Sequence, residues 1–379
     1  MITYGRQSIN EIDVHGVIQA LKSEFLTTGP LVKQFEDELE KYIGAKTCVV
    51  SSGTAALHCA FKAINIKNGD EIITTPNTFV ATQATAISLG AVPVFADIEE
   101  TTGNIDVNNI ERLITRKTKA IVSVDYAGHP CDISEISRIA KKHNIFFIED
   151  AAHSLGSMYN KRVIGSQADI TTFSFYPTKN ITTSEGGAIS TNNALLMERA
   201  RLFSRQGLIR DPDRFELEND GPWHQEVHEF GLNYRLPDIL CALGISQLKR
   251  IEEFKRRRWE IWHKYQEGLS NIPQIKIPIF KENVNPMWHL YPIRVSAKMR
   301  KEIFIGLRKL GIFVQVNYVP SYWHPAFRNM GYKKGLCPIS EEFYSQEISL
   351  PIHCELNDED IDYIISSLRN LVNYRTETS

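Results

Sequence analysis

A chain of 379 residues is long enough to bury a large core, and we expect roughly two domains. Its hydrophobic fraction of 42%, charged fraction of 23% and net charge of -2 exclude a disordered tail and a surface that coats nucleic acid. An anionic ligand must therefore be bound by local groups.

Targeting and membrane signals are not found in the sequence. The first residues lack a basic region followed by an apolar stretch, and no run approaches the roughly 18 apolar residues of a membrane span. We therefore expect a cytoplasmic protein with no membrane partner. The six cysteines form no Cys-x-x-Cys pair, so free thiols and no metal site are expected.

Short β-rich runs alternate with helical patterns from about residue 30 to about residue 190. The runs cover residues 47–50, 71–75, 92–96, 120–124 and 145–148. This alternation favours an α/β fold with a mainly parallel sheet and helices on both faces. In such a sheet, ligands bind at the carboxyl ends of the strands.

A glycine turn follows the first of these strands. Residues 51–54 read Ser-Ser-Gly-Thr, and a helical pattern continues to Ile64. Unpaired N–H groups and the positive dipole end of such a helix can hold a phosphate. The alternative is an ordinary strand-to-helix turn, and the motif taken alone favours that alternative.

Two polar residues follow later strands. Asp150 ends the buried-strand pattern 145–150, and Lys179 lies in the polar, glycine-closed segment 174–187. An amine and a carboxylate at successive strand ends suggest a pyridoxal phosphate (PLP) site, where Lys179 would form a Schiff base and Asp150 would keep the pyridine nitrogen protonated. Taken singly, each has a simpler interpretation: a surface lysine, and a helix cap or ion-pair partner.

Four further side chains could belong to the same site. Ser174 could offer a hydroxyl to the cofactor phosphate, and His153 could donate a hydrogen bond to the ring oxygen of the cofactor. Phe79 follows another strand and could stack on the pyridine. Asn233 lies in a polar cluster at 231–235. A histidine is more often structural and a phenylalanine more often core, so none of these residues identifies the site alone.

The pattern changes to long helices from about residue 240. Two strand-like segments, 289–295 and 313–318, then precede a final helix. We expect a large domain over residues 1–248 and a smaller α+β domain over residues 249–379. The basic run 248–259 invites a nucleic-acid interpretation, but acids and apolar residues interrupt it, so a solvated helix face is expected and no nucleic-acid partner.

Five motifs in order give a resemblance that runs nearly from end to end. They are Leu26-Thr-Thr-Gly-Pro30, Ser52-Gly-Thr-Ala-Ala-Leu57, Glu149-Asp-Ala-Ala-His153, the segment 173–187 and the segment 231–235. The chain resembles the DegT-type sugar-nucleotide aminotransferases of the aspartate-aminotransferase fold. The resemblance implies a three-layer PLP-transferase fold, PLP with pyridoxamine phosphate as its second form, glutamate as amino donor and a nucleotide-linked keto sugar as acceptor.

The resemblance also implies roles for single residues. Lys179 would be the catalytic lysine that carries PLP, Asp150 would pair with the pyridine nitrogen, and Asn233 would reach the cofactor of the neighbouring subunit in a homodimer. The remaining cofactor contacts are implied at Gly53, Thr54, Ala55, Phe79, His153 and Ser174. Substrate contacts are implied at Tyr4, Leu26, Thr27 and Tyr318.

Segments 1–7, 181–183, 311–320 and 342–351 further resemble family members that aminate the 4-keto position of a UDP-linked 6-deoxy-N-acetylhexosamine, a step toward pseudaminic acid. Asn317 and Gln206 depart from that pattern, since such enzymes usually have His at both positions. The alternatives are a 3-aminotransferase on a dTDP- or UDP-linked 3-keto sugar and a non-catalytic PLP-binding regulator. A sugar dehydratase would have His in place of Lys179. An amino-acid aminotransferase would need an arginine clamp that the sequence does not identify.

Overall fold

A seven-stranded sheet forms the centre of the computed structural model, which describes residues 1–376 and the side chains of residues 1–373. The strands of the chain are β1 (Lys46–Val50), β2 (Glu71–Thr74), β3 (Val92–Phe95), β4 (Thr118–Val124), β5 (Phe146–Asp150), β6 (Met158–Tyr159), β7 (Arg162–Val163), β8 (Ile170–Ser174), β9 (Gly187–Thr191), β10 (Leu208–Ile209), β11 (Glu226–Val227), β12 (Val284–Asn285), β13 (Tyr291–Arg294) and β14 (Glu347–Leu350).

Helices cover the sheet and build the C-terminal part. They are α1 (Glu11–Leu21), α2 (Pro30–Ile43), α3 (Gly53–Ala63), α4 (Ala81–Ser88), α5 (Val107–Ile110), α6 (Ile133–His143), α7 (Ala194–Ser204), α8 (Asp238–Lys249), α9 (Ile251–Leu269), α10 (Ala297–Lys309), α11 (Pro325–Asn329), α12 (Pro338–Gln346) and α13 (Asp358–Thr376). In the described part of the chain, no helix is both long and apolar enough to cross a membrane.

The central sheet has the order β1-β9-β8-β5-β4-β2-β3. The pairs β2–β3, β2–β4, β4–β5 and β5–β8 are parallel, whereas β9 runs antiparallel to β8 and to β1. The carboxyl ends of the parallel strands therefore meet at one edge of the sheet, where this architecture binds ligands. The sequence-based prediction of an α/β fold with a mainly parallel sheet is confirmed.

Three large hydrophobic cores lie along the chain. The first packs the sheet against α2, α6 and α8, the second joins side chains of α9, α10, α13, β13 and β14, and the third packs the sheet against α3 and α7. Ile2 belongs to the second core, and its backbone pairs with the small C-terminal part through hydrogen bonds to Gly311 O and from Phe313 N, both 2.9 Å long. The N-terminal segment thus crosses between the two parts. The domain division at residues 248 and 249 stays a prediction.

The strand-like segment 313–318 is not a regular strand. It makes an isolated bridge between Gln315 and Ser349 of β14, and then Asn317 and Tyr318 turn toward side chains of other elements. The predicted strand at 289–295 is confirmed as β13, although it is shorter. In the segment 313–318, side-chain contacts at Asn317 and Tyr318 take the place of strand-to-strand backbone hydrogen bonds. The β-rich sequence of this segment could not show that.

Candidate active site

Asp150 and Lys179 lie at the carboxyl ends of neighbouring parallel strands. Asp150 is the last residue of β5, and Lys179 lies in the loop after β8, where its N–H donates to Tyr176 O at 2.8 Å. Thr82 Oγ1 donates to Asp150 Oδ2 at 2.7 Å, and the Ala152 N–H donates to Oδ1 at 3.2 Å. Asp150 is thus a buried carboxyl whose two oxygens are held in a fixed orientation.

The Lys179 amine is suited to act as a nucleophile. Burial lowers the pKa of Lys179 to about 8, and the negative charge of Asp150 acts in the opposite direction. Among the described residues, no hydrogen-bond acceptor is found for its Nζ atom. A useful fraction of the amine is therefore uncharged near neutral pH, as a lysine that attacks a carbonyl carbon requires.

His153 lies beside this pair and is neutral. Burial first, and then the charge of Lys179, lower the pKa of His153 well below its usual value. Its Nε2 atom is 3.2 Å from Tyr318 Oη, and its Nδ1 atom is buried with no hydrogen-bond partner in the described part of the molecule. Asn180 Nδ2 donates to His153 O at 2.9 Å, which fixes the loops after β5 and β8 to each other.

A tight turn brings the start of α3 against Ser174. Ser52 Oγ accepts from the Ala55 N–H at 3.0 Å and caps the helix. A Cβ atom at Gly53 would lie 2.7 Å from Ser174 Cβ, closer than real Cβ contacts, so only glycine allows this approach. The Ser174 hydroxyl and the N-terminal N–H groups of α3, which begins at Gly53 and Thr54, thus form one cradle. Such a cradle fits the phosphate of PLP.

Phe79 places an aromatic ring at the same edge of the sheet. It follows β2, and 61% of its surface is exposed. Thr82, three residues later, contacts Phe79 O at 3.2 Å and also binds Asp150, so Phe79 and Asp150 are joined through one threonine. An exposed large ring next to a buried carboxylate suits a flat heterocycle better than it suits a core position. Thr82 was not singled out from the sequence. The signal that could have indicated it is its position three residues after Phe79.

Tyr4 and Tyr318 are joined through Asn317 and Glu347. Asn317 Nδ2 donates to Tyr4 Oη at 2.5 Å and to Ser349 Oγ at 3.1 Å, and the Asn317 N–H donates to Glu347 Oε2 at 2.8 Å. Burial raises the pKa of Glu347 to about 8. Glu347 was not singled out from the sequence, although it lies in the segment 342–351. This network holds the backbone from which Tyr318 reaches His153.

Three of the residues singled out from the sequence lie away from the Asp150–Lys179 pair within one chain. Leu26 and Thr27 are exposed, and Leu26 O accepts from the Asp238 N–H at 3.0 Å. Asn233 is exposed and forms a backbone bridge with Arg205. Arg235 Nη1 donates to Gln206 Oε1 at 3.0 Å, so Gln206 binds within this same segment. No contact between any of these three residues and Asp150 or Lys179 is found in the described part of the chain.

The sheet order, the carboxylate that ends β5 and the amine after β8 together define an aminotransferase of the aspartate-aminotransferase fold. The sequence model of the DegT/DnrJ/EryC1/StrS aminotransferase family matches residues 7–369, and the chain belongs to that family. The predicted family, the fold class and the prediction of a sugar-nucleotide aminotransferase are confirmed.

Relatives agree with this assignment over their full length. The UDP-4-amino-4,6-dideoxy-N-acetyl-beta-L-altrosamine transaminase of Campylobacter jejuni is 39% identical over 98% of this chain and 98% of its own. The Helicobacter pylori aminotransferase PseC, involved in the biosynthesis of pseudoaminic acid, superposes with a TM-score of 0.93 at 34% identity, covering 98% of this chain and 99% of its own.

A third relative bears on the cofactor. The putative sugar aminotransferase Spr1654 of Streptococcus pneumoniae, solved in its pyridoxamine phosphate form, superposes with a TM-score of 0.93 at 31% identity, covering 99% of this chain and all of its own. A PLP form of the same protein is similar to this chain as well, with a TM-score of 0.92. The PLP dependence expected from the sequence thus agrees with the forms in which this relative was solved.

Proposed function

We propose that this protein transfers the amino group of glutamate to the 4-keto carbon of a UDP-linked 6-deoxy-N-acetylhexosamine. The observation that carries the proposal is the pairing of a partly neutral Lys179 amine with the fixed carboxylate of Asp150 at adjacent strand ends. The sugar and the site of amination rest on the name of the Campylobacter jejuni relative.

The residues on this edge of the sheet can hold PLP. Lys179 would anchor it, and Asp150 would form an ion pair with the ring nitrogen. Gly53, Thr54, Ala55 and Ser174 would hold the phosphate, Phe79 would cover one face of the ring, and His153 would bind the ring oxygen. Bound there, PLP supplies an electron sink for the charge left when a proton leaves the amino acid.

Lys179 would move the proton in both half-reactions. Once it is released from its anchoring role, its Nζ atom would accept a proton from the α-carbon of glutamate and later donate one as the sugar is aminated. A pKa of about 8 places this group near the pH at which the reaction must run. Asp150, whose oxygens are bound by Thr82 and the Ala152 N–H, would stay in place throughout.

Substrate contacts and assembly complete the proposal. Tyr4 and Tyr318 would contact the nucleotide sugar from the network around Asn317, and Leu26 and Thr27 would do so from their exposed turn. Asn233 is exposed, and among the described residues it makes no contact with Asp150 or Lys179 of its own chain, so we propose that it serves the site of a second copy in a homodimer. We also propose that the enzyme acts in the cytoplasm, on a nucleotide sugar present there.

Replacing Lys179 by Arg tests the assignment. Arginine keeps the positive charge, but it stays protonated and cannot serve as the nucleophile or the base. We expect turnover to be lost and the visible absorbance of the lysine-bound cofactor to disappear, while the melting temperature changes little. A Lys179→Arg variant that keeps both turnover and absorbance would refute the role of this residue.

The substrate is tested separately. The wild-type protein would be incubated with glutamate and a panel of 4-keto and 3-keto UDP- and dTDP-sugars, and the products would be identified by NMR. We expect a 4-amino UDP-sugar. Formation of 3-amino products alone would contradict the proposed regiochemistry, and the absence of any aminated sugar would contradict the enzymatic role.

A further inference from the structure

A recess beside Lys179 is bordered by two arginines and by no acidic residue. Arg6, Lys179 and Arg258 line it together with neutral side chains such as Asn180 and Cys354. The two arginines have no carboxylate among the residues that line the recess, so their positive charge is not compensated there. The recess itself encloses only about 10 Å³, room for about one water molecule, so an anion would lie at its mouth.

Arg258 is the more unusual of the two arginines because it is buried. Its Nη1 atom donates to Ile352 O at 2.9 Å and to Trp288 O at 3.1 Å, and its Nε atom has no partner in the described residues. Within the described part of the chain, no carboxylate comes within ion-pair distance of it. A buried guanidinium normally has a carboxylate partner, since an uncompensated buried charge is costly.

Arg6 borders the recess from the N-terminal segment. A Cβ atom at Gly5 would lie 3.1 Å from Thr178 Cγ2, so this segment packs directly against the residue before Lys179. The side chain of Arg6 is exposed and has no hydrogen bond or ion pair among the described residues. It is therefore free to turn toward an anion at the mouth of the recess, with the charge of Arg258 behind it.

The position of the recess selects which anion would bind. The amine of an amino donor must replace the Lys179 nitrogen, and its carboxylate is one carbon away from that amine. The carboxylate must therefore lie next to Lys179, where the recess begins. The diphosphate of a sugar nucleotide lies on the far side of the sugar ring from its 4-keto carbon, so it would be held farther from Lys179.

We propose that a carboxylate of the amino donor binds at the mouth of the recess, with Arg6 in direct contact and Arg258 as the buried counter-charge behind it. The inference rests on the proposed function, because it assumes that the donor enters at Lys179. It assigns to this chain the arginine clamp that could not be identified from sequence.

The binding of glutarate tests the recess without any reaction. Glutarate carries both carboxylates of glutamate but no amine, and calorimetry on the holoenzyme would measure its affinity. We expect Arg6→Gln to weaken glutarate binding about tenfold to hundredfold, the loss of one hydrogen bond to a charged group, and Arg6→Lys to recover part of it. Arg116→Gln, which removes a different exposed arginine, should bind glutarate like the wild type.

Steady-state kinetics separates the two substrates. Arg6→Gln should raise KM for glutamate by a similar factor and leave KM for the keto sugar unchanged. A rise in KM for the sugar nucleotide alone would overturn the inference, as would unchanged glutarate binding. Should the protein aminate no keto sugar, Arg6-dependent glutarate binding would still support the recess while the proposed function fails.

Arg258 provides a second variant. Arg258→Gln removes the buried charge, and we expect weaker glutarate binding than in Arg258→Lys, which keeps the charge. If both Arg258 variants melt below the assay temperature, the comparison of Arg6→Gln with Arg116→Gln decides the matter. Equal glutarate affinities in folded Arg258→Gln and in the wild type would rule out a role for the buried charge.

Discussion

The strand-end cluster, made up of Asp150, His153 and Lys179, differs sharply from the segment 205–235. In the cluster, polar groups are held by Thr82, Asn180 and Tyr318. The segment 205–235 instead exposes large apolar side chains: Leu217 is 70% exposed, Trp223 72% and Phe230 92%. One chain thus holds the strand-end cluster in place but leaves these large apolar side chains exposed, and exposed apolar surface of this kind is typical of protein–protein contacts.

The segment 205–235 is nevertheless folded in a defined way. Glu226 accepts from the N–H groups of Glu216 and Leu217, both at 2.8 Å, and His224 Nε2 lies 3.3 Å from Glu226 Oε1. These bonds fix the backbone of the segment, while its large apolar side chains stay exposed. Both regions are well ordered, but only the segment 205–235 leaves large apolar side chains without a packing partner among the described residues. The predictions below ask whether that partner is another copy of this chain.

The largest expected effect comes from mixing two inactive variants, Lys179→Arg and Asn233→Ala. If Asn233 serves the neighbouring site, a mixed dimer has one site with both defects and one site with neither. After refolding or co-expression at equal amounts, we expect activity to return to about a quarter of the wild-type value, because about half the dimers are mixed and half their sites are intact. Turnover of the mixture and of each variant alone is the measurement.

One control bears on this result. A mixture of Lys179→Arg with Asp150→Ala should stay inactive, because both side chains are proposed to act at the site of their own chain. No recovery in the original mixture would place Asn233 outside the neighbouring site.

For the pair Lys179→Arg and Asp150→Ala, a mixed dimer contains one site without the lysine and one site without the carboxylate. Both sites are then defective, so this mixture should show no more turnover than either variant alone. The contrast between the two mixtures therefore separates a residue donated by the neighbour from residues supplied by the same chain.

The sequence was sufficient for the scaffold and for the strand-end cluster. Alternating patterns set the parallel sheet, and Asp150 and Lys179 were recognised because local strand patterns end beside them. Thr82 and Glu347 could not be found in this way. Their roles depend on contacts across 68 residues, from Thr82 to Asp150, and across 30 residues, from Glu347 to Asn317, and no periodic pattern encodes such contacts.

Asn317 illustrates a second limit of the sequence. Its difference from the histidine usual in related enzymes was visible, but its partners were not. In the folded chain its side-chain amide binds Tyr4 and Ser349, and its N–H binds Glu347. An amide keeps these bonds at any pH, whereas a histidine would gain and lose a proton. Any change in the charge of this network with pH near neutrality therefore comes from Glu347.

The next largest effect is on stability and depends on pH. Burial raises the pKa of Glu347 to about 8, so the folded chain binds a proton that the unfolded chain releases near pH 4.5. Stability contributed by this group is fully present below that value and is lost as pH rises toward 8. In Glu347→Gln, which mimics the protonated form, we expect the free energy of unfolding to gain up to about 4 kcal/mol relative to the wild type between pH 5 and pH 8.

Denaturant unfolding at several pH values would measure this difference. Glu282→Gln, which removes an exposed carboxylate, should show the same pH dependence as the wild type. A constant difference between Glu347→Gln and the wild type from pH 5 to pH 8 would mean that Glu347 is ionised throughout this range. The network that positions Tyr318 would then contain a buried charge.

The smallest expected effect concerns the uncovered surface itself. Phe230→Ser removes a ring that is 92% exposed in one chain, so the folding of that chain should change by no more than about 0.5 kcal/mol. If the ring is buried against a second copy, the dimer should weaken by about 1–3 kcal/mol, measurable by sedimentation across a dilution series. Leu310→Ser, at a side chain that is 44% exposed in the C-terminal part, should leave association unchanged. An unaltered dimer in Phe230→Ser would place the contact elsewhere, and donation of Asn233 to the neighbouring site would then need a different surface to support it.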